Sequence, residues 1–375
     1  MPRVALLDGP TPLQPMRRLA AALGGRVDLW IKREDLGPIA FSGNKLRNLE
    51  FLLGAAVDEG ATAVVTSGRR WSNHCRLTAA AGARLGLDVH VVLSGPPLPH
   101  SPNRDLIGLF GGTVHETTTD DRADREAMVE EVASRLRAEG RQVRVIPVGG
   151  SDPVGAWGQV LAGRELLEQA SALGFAPDEI VVPTATGGTQ AGLIVGTRAV
   201  RDTASPWVLG FVVARPEAEL RPMIERLLGE LAAMAGVSTS TSDIELDSSQ
   251  LGPGYGQPTG ASQKAAELLA RTEGMLVDPV YTAKALAGLV ARVGSGELDG
   301  RSVVFWHGGG LPSLFEDLGR EPPRAMTTRT SARGQAPHDL RGFGDLGGLA
   351  ARREAAVEIE EVGALDDEQG ADRNA

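Results

Sequence analysis

Glu179-Ile180-Val181-Val182-Pro183-Thr184-Ala185-Thr186-Gly187-Gly188-Thr189-Gln190-Ala191-Gly192-Leu193-Ile194 is the stretch on which the fold turns. A β-branched run ends in a loop of threonine, alanine and glycine, and an apolar helical pattern follows at once. The order is strand, tight loop, helix N-terminus. It converges backbone N–H groups on one point and makes a cradle for an anion such as a phosphate. No Gly-Lys-Ser/Thr closes the loop, which argues against a P-loop, and G-x-G-x-x-G is absent, which argues against a dinucleotide fold. A tight loop that holds no ligand reads the same way, so the stretch needs a second signal.

That signal is Phe41-Ser42-Gly43-Asn44-Lys45-Leu46-Arg47-Asn48-Leu49-Glu50. Lys45 follows a Ser-Gly-Asn turn and opens an amphipathic helix with Leu46, Leu49, Leu52 and Leu53 on one stripe. An ammonium at the positive end of a helix dipole is disfavoured, so its pKa should fall. The neutral amine is the nucleophile of Schiff-base chemistry. Alone, Lys45 reads as a solvated surface lysine. Beside a phosphate cradle it points to a phosphate-bearing aldehyde, of which pyridoxal phosphate is the common one.

Outward from these two stretches, short apolar runs alternate with helical patterns. Strands are expected at Ala63–Thr66, Val89–Leu93, Thr113–His115, Val143–Val148, Ile180–Val182, Val208–Val213 and Val303–Trp306. Helices are expected at Arg122–Glu139, Val154–Gln169, Gln190–Val200, Leu220–Met234, Ala261–Thr272 and Ala283–Val293. Such alternation gives an α/β fold, a parallel sheet with helices on both faces. Ligands bind at the carboxyl ends of such strands, where the Ser72 segment and the Thr186 loop both fall.

The 375 residues suffice for two domains, with 42% hydrophobic and 23% charged residues. A formal net charge of -10 argues against nucleic acid or an anionic membrane as partner. A single cysteine, Cys75, excludes an internal disulfide and suits a reducing compartment. No signal peptide or membrane span is expected, so the expected location is the cytoplasm. Six dispersed histidines form no metal-type pair, so no metal is expected. Beyond Gly319 the sequence turns Thr/Arg/Gly-rich and then acidic, and 321–375 is expected to be a flexible acidic tail.

Ser42-Gly43-Asn44-Lys45-Leu46-Arg47, Ser72-Asn73-His74, Thr186-Gly187-Gly188-Thr189-Gln190-Ala191-Gly192, Gly252-Pro253-Gly254-Tyr255-Gly256 and Asp278-Pro279-Val280-Tyr281 occur in that order. With them the chain resembles the 1-aminocyclopropane-1-carboxylate deaminase / D-cysteine desulfhydrase family, from about Thr11 to about Phe315. That family is pyridoxal-phosphate dependent, of fold type II, similar to the tryptophan synthase beta subunit. The resemblance implies two domains of twisted parallel sheet with the cofactor in the cleft between them. Residues 1–48 and 162–320 would form the larger, cofactor-binding domain and 49–161 the smaller, inserted one. It also implies a homodimer acting on a small amino acid.

Carried over, Lys45 holds the cofactor and later takes the Cα proton. Ser72 and Asn73 bind the substrate carboxylate at a helix start, and Asn73 also reaches the cofactor phenol oxygen. His74 offers its backbone N–H to the same carboxylate. The phosphate lies against Thr186, Gly187, Gly188 and Thr189. Tyr255 and Tyr281, the two tyrosines of the chain, line the cleft and assist proton transfer. Cys75 reads as a small buried residue and not as a nucleophile.

Three departures matter. Relatives read Gln-Ser-Asn where this chain has Trp71-Ser72-Asn73, and many read His-Thr-Gly-Gly where it has His307-Gly308-Gly309-Gly310. The deaminases commonly place Glu where this chain has Thr282, so the cofactor nitrogen would meet a hydroxyl and the ring would be a weaker electron sink. Opening a cyclopropane needs the stronger sink, whereas β-elimination has a competent leaving group. The expectation is therefore β-elimination from a D-cysteine-like amino acid to pyruvate, ammonia and the leaving group. The alternatives are the deaminase, elimination of sulfite from cysteate, and a protein that binds the cofactor with altered chemistry. Cysteate enters because Arg69-Arg70-Trp71 puts two cations beside the carboxylate site, where a guanidinium could bind a second anionic group.

Overall fold

β-branched runs do become strands, and ten strands and ten α-helices are seen in the computed structural model, which describes residues 1–95, 100–119, 121–201 and 206–316. These fall within the compact unit Met1–Glu321, and the expected acidic tail lies outside the described residues. The strands form two sheets.

The first sheet orders its strands β1-β2-β10-β7-β8-β9. Here β1 is Leu13–Pro15, β2 Asp28–Arg33, β7 Glu179–Thr184, β8 Trp207–Val212, β9 Glu245–Asp247 and β10 Ser302–His307. Only the β1–β2 pair is antiparallel. The second sheet is parallel throughout, in the order β5-β4-β3-β6, from Ala63–Arg69 (β3), Asp88–Ser94 (β4), Thr113–Glu116 (β5) and Val143–Val145 (β6). The expected strands are all present. Val143–Val148 is cut short because Pro147 leads into a 3-10 turn at Val148–Gly150.

β1, β2 and β9 carry no readable strand pattern. In β2 the reason is physical: Lys32 and Arg33 interrupt its apolar alternation, yet Lys32 is completely buried. Its amine meets Glu165, Gln169 and the carbonyl of Thr11 at 2.5–2.7 Å. Such a pairing is visible only after Glu165 arrives from 133 residues away.

Helix α2, Lys45–Asp58, has Asn44 as its N-cap residue and buries the leucine stripe in a core with Leu6, Val64, Leu77 and Val91. Helix α3, Asn73–Leu85, is capped by Ser72, whose side chain accepts the N–H of Cys75, and ends at the left-handed Gly86. Helix α6, Pro153–Ala172, begins at the Asp152 cap, and α7, Gly188–Arg198, begins at the left-handed Gly187.

Glycines let α2, α6 and α7 pass almost backbone to backbone. A Cβ on Gly158 of α6 would sit 2.0 Å from the carbonyl oxygen of Arg47 in α2. One on Gly192 or Gly196 of α7 would lie 2.8 Å or 2.2 Å from the carbonyl oxygens of Ala156 or Val160 in α6. This stack carries the head of α2, and with it Lys45, to the head of α7.

Gly158→Ala should therefore destabilise the protein by about 1–3 kcal/mol or more through overpacking. Gly229, exposed in α8 (Glu217–Ala235) with nothing within 4 Å of an added Cβ, provides the contrast. There alanine should stabilise by up to about 1 kcal/mol. Urea unfolding of both variants checks the pair, and equal effects would contradict the stacking.

Candidate functional site

A cleft of about 330 Å³ opens at the carboxyl ends of β3, β7, β8 and β10. Its floor and walls bring together Lys45, Ser72, Asn73, His74, Thr186, Gly187, Thr189, Tyr255, Tyr281 and Thr282. These residues span more than 230 positions of sequence and meet because two sheets end here.

Lys45 is the first residue of α2 and is partly exposed to the cleft. Burial by the cleft walls brings its amine down to about 8. Of the four lysines in the sequence, Lys284 is also brought down to about 8 by burial. Its amine, however, is engaged by the carbonyls of Leu251 and Gly254, outside the cleft lining. Lys32 is held in its own charge network. Lys45 is the one lysine of the cleft lining among the described residues.

The turn before Lys45 is strained. Ala40, Phe41 and Ser42 all have left-handed φ, at 49°, 58° and 47°, where an L-residue costs about 1–2 kcal/mol. Arg76, completely buried, holds this turn by donating to the carbonyls of Ala40 (3.1 Å) and Ser42 (3.2 Å). The same guanidinium donates at 2.6 Å to Oδ1 of Asn73, so one arginine orients both the lysine turn and the head of α3. Arg76 carried no sequence signal, being one of 38 basic residues.

On the opposite wall, Thr184, Ala185, Thr186 and Gly187 turn into α7, whose first N–H groups have no intrahelical partner. A Cβ on Gly187 would meet Ile224 at 2.6 Å, and one on Gly188 would meet the Ser151 hydroxyl at 2.8 Å. Gly188 starts the helix and does not line the cleft. Ser151 shares a 2.6 Å hydrogen bond with Thr186, and Nδ2 of Asn44 donates at 2.8 Å to the Thr189 hydroxyl. Oγ1 of Thr184 is buried without a partner. Glycine-dependent closeness, free N–H groups and an orphan hydroxyl make a cradle that fits a phosphate. Lys45 in the same cleft fits the aldehyde of pyridoxal phosphate.

Tyr255 and Tyr281 share a short hydroxyl–hydroxyl hydrogen bond. Burial pushes both phenols up, Tyr281 well above its ordinary value. They stay protonated near neutrality and can act as donors. His74 is pushed down to about 3 by burial and by the Lys45 charge, so it is neutral, with Nε2 2.9 Å from the Thr66 hydroxyl. Burial pushes the Cys75 thiol up to about 12, which suits the inert reading. Thr282 lines the cleft, and its hydroxyl makes a short hydrogen bond to Asp278. Asp278 also accepts the N–H groups of Val280, Tyr281 and Thr282. Asp278 thereby fixes the turn that presents Tyr281 and Thr282, a role its place in the Asp278-Pro279-Val280-Tyr281 motif does not reveal.

Two expected substrate-binding residues are not in the cleft lining. Arg70 is buried and turned away, paired with Glu116 and donating to the carbonyl of Gly95 at 3.2 and 3.3 Å. Trp71 is buried behind Tyr255, ring centroids 5.7 Å apart edge to face. Arg69 does line the cleft, joined by Arg122, Arg125 and Arg215, which no motif marks. Among the described residues no three His, Cys, Asp or Glu side chains cluster as a metal site, and no helix is long and apolar enough to cross a membrane.

The profile described as "Pyridoxal-phosphate dependent enzyme" matches residues 4–309. D-cysteine desulfhydrase of Salmonella typhi is 39% identical over 321 residues, covering 84% of this chain and 95% of that protein. The enzyme of the same name from Salmonella choleraesuis is equally similar over 322 residues. Among solved structures, an ACC deaminase homologue is 35% identical with a TM-score of 0.76, over 84% of this chain and 94% of its own. A threonine deaminase from T.th. shares the fold at 24% identity and a TM-score of 0.56, over 80% of this chain and 92% of its own. The chain belongs to the pyridoxal-phosphate dependent enzyme family, with the α/β architecture of fold type II.

Two outcomes follow for the cofactor-free protein. With its pKa at about 8, Lys45 is neutral in about one molecule in ten at pH 7, against fewer than about one in a thousand for an ordinary lysine. The rate of cofactor attachment, followed by absorbance, should therefore rise with pH and level off above about 8; half-saturation near 10.5 would contradict the cleft's effect. Gly187→Val should weaken cofactor retention severely while far-ultraviolet circular dichroism stays native, and unchanged retention would remove the cradle.

Proposed function

We propose that this enzyme is a lyase that β-eliminates a small, D-cysteine-like amino acid to pyruvate, ammonia and the leaving group. The observation that carries the reading is that Lys45, the one lysine of the cleft lining among the described residues, shares that cleft with the head of α7. When bound, pyridoxal phosphate supplies an electron sink for the pair released at the substrate Cα.

The residues divide the remaining work. Ser72, at the head of α3, and Asn73, fixed by Arg76, receive the α-carboxylate at the positive end of a helix of 13 residues. Lys45, released from its covalent role, accepts the Cα proton; its pKa of about 8 suits a base operating close to neutral pH. Tyr255 and Tyr281 hold protons that they can deliver to the leaving group. Thr186, Gly187 and Thr189 fix the phosphate and therefore the orientation of the ring.

A hydroxyl at Thr282, where the deaminases commonly carry a carboxylate, supports elimination over ring opening. Deamination of 1-aminocyclopropane-1-carboxylate is the second reading, favoured by the likeness to the ACC deaminase homologue. We further propose that the two sheets mark two domains, 1–48 with 162–320 and 49–161. The lone, buried Cys75 fits a reducing compartment such as the cytoplasm. A homodimer is supported by an apolar groove in which Phe41, Leu109 and Phe315 stand 54%, 80% and 62% exposed.

Pyruvate release should be found with D-cysteine or chloroalanine and should exceed release of 2-oxobutyrate from 1-aminocyclopropane-1-carboxylate; the reverse order would favour the deaminase. Lys45→Ala should abolish it, and borohydride should fix the cofactor to Lys45 in peptide maps, where a tag on Lys32, Lys264 or Lys284 would sink the assignment. Sedimentation should give a dimer that Leu109→Asp splits, and a monomeric parent would remove that proposal.

A further inference from the structure

The lyase reading uses two anion sites, one at the head of α3 and one at the head of α7. The cleft holds more positive charge than those two need. Arg69, Arg125 and Arg215 line it, with Arg122 at its exposed edge already paired to Glu126 at 2.6 Å. The three come from separate elements: the end of β3, the first turn of α5 (Arg122–Ala138), and the segment after β8. Burial makes the charge of Arg69 and of Arg215 harder to hold, and Arg125 works against both.

Among the described residues of the cleft, few carboxylates offset Arg125 and Arg215. Glu219 is its one exposed carboxylate there, and Asp278 is buried and occupied by four hydrogen bonds from residues 280–282. The Nε atoms of Arg125 and Arg215 are buried with no hydrogen-bond partner. Arg125 otherwise reaches the Ser94 hydroxyl at 3.1 Å, and Arg215 the sulfur of Met223 at 3.4 Å, a weak acceptor. The Arg69 guanidinium lies 5.9 Å from the Trp71 ring and 5.8 Å from that of Tyr255, which places it beside the tyrosine pair. In a protein of net charge -10, the half-buried Arg125 and Arg215, whose Nε atoms lack an acceptor, are costly unless a ligand supplies oxygens.

We propose that Arg125 and Arg215, with Arg69, bind a second anionic group on the substrate, an oxyanion carried on the β-carbon, so that the enzyme's substrate class is the acidic β-substituted amino acids. The inference rests on the lyase reading of the same cleft. Chemically, the group is a sulfonate or a phosphate ester, whose oxygens match the guanidinium forks. The Cα–H bond breaks and its proton passes to the base. The Cα–Cβ double bond forms as the bond from Cβ to the substituent breaks, and sulfite or phosphate departs with the bonding pair. The enamine released takes a proton at Cβ and becomes an imine, and water then replaces nitrogen at Cα, so that amino acid and water give pyruvate, ammonia and the free oxyacid, without oxidant or reductant. Arginines that held the group in the substrate also stabilise the charge it carries away.

The test uses the holoenzyme, Arg125→Gln and Arg215→Gln, with Arg215→Lys as the conservative control. Pyruvate release is compared for D- and L-cysteate, D- and L-O-phosphoserine, cysteine and chloroalanine. The parent should favour an acidic substrate, and the ratio of kcat/KM for acidic over neutral substrates should fall roughly ten- to a hundredfold in the glutamine variants. Cysteate alone responding identifies a sulfonate; both acids responding identify oxyanions generally. Calorimetric titration of the same proteins carrying Lys45→Ala, which removes the base, compares cysteate and alanine without turnover, and cysteate should bind at least tenfold tighter, an advantage the glutamine variants lose. Equal binding of the two by the parent overturns the proposal, whatever is turned over. Loss of cofactor affinity in step with loss of selectivity also overturns it and assigns the arginines to the cofactor phosphate. No pyruvate from any compound, with cysteate still bound tightly, would instead defeat the lyase reading and leave the anion site standing.

Discussion

Everything in the cleft depends on how closely α2, α6 and α7 approach. Gly158, Gly192 and Gly196 remove the side chains that would separate them, and the helices then carry Lys45 and the Gly187 turn to facing positions. A buried charge network locks the same stack. Arg47, two residues after Lys45, donates to Glu34 at 2.6 and 2.8 Å and to Glu165 of α6 at 2.8 Å, while Lys32 reaches Glu165 from β2. Burial works against the charge of Arg47, and Glu34 and Glu165 more than reverse it. Buried pairs of this kind add little net stability but are costly to break, which suits them to fixing register more than to strengthening the fold.

The second organising force is desolvation. It lowers the pKa of Lys45, keeps His74 neutral, holds the protons of Tyr255 and Tyr281, and keeps Cys75 a thiol. One physical cause thus sets a base, two acids and two inert groups within a single cleft. The arginines are the exception. Guanidinium stays charged when buried, so the cleft remains positive inside a protein that is negative overall.

Strain is placed where position matters. Three successive left-handed residues precede Lys45, and their turn is kept by Arg76 from α3 and by the contact of Gly43 with Gly309 at the end of β10. A Cβ on Gly309 would lie 2.7 Å from the Cα of Gly43, so the glycine run 308–310 serves close approach. The lysine is held by both sheets, which is consistent with a group that must attach a cofactor and then move a proton.

Much of this was legible in the chain. Periodicity located every parallel strand from Ala63 onward except β9, and the loop at Thr184–Thr189 with Lys45 named the cofactor class. Local chemistry determines such features: β-branched runs, helix heads and glycine turns are decided by residues a few positions apart. What the sequence hid was long-range. Lys32 interrupts the apolar alternation of β2 and is accommodated only because Glu165 pairs with it, and Arg70, expected at the substrate, is claimed by Glu116. Arg76, Arg125 and Arg215 were indistinguishable among 38 basic residues. Only the tertiary structure decides which charges are buried, paired or aimed at the cleft, because that depends on partners 46 residues distant for Arg70 and 133 for Lys32, and on the water that folding removes.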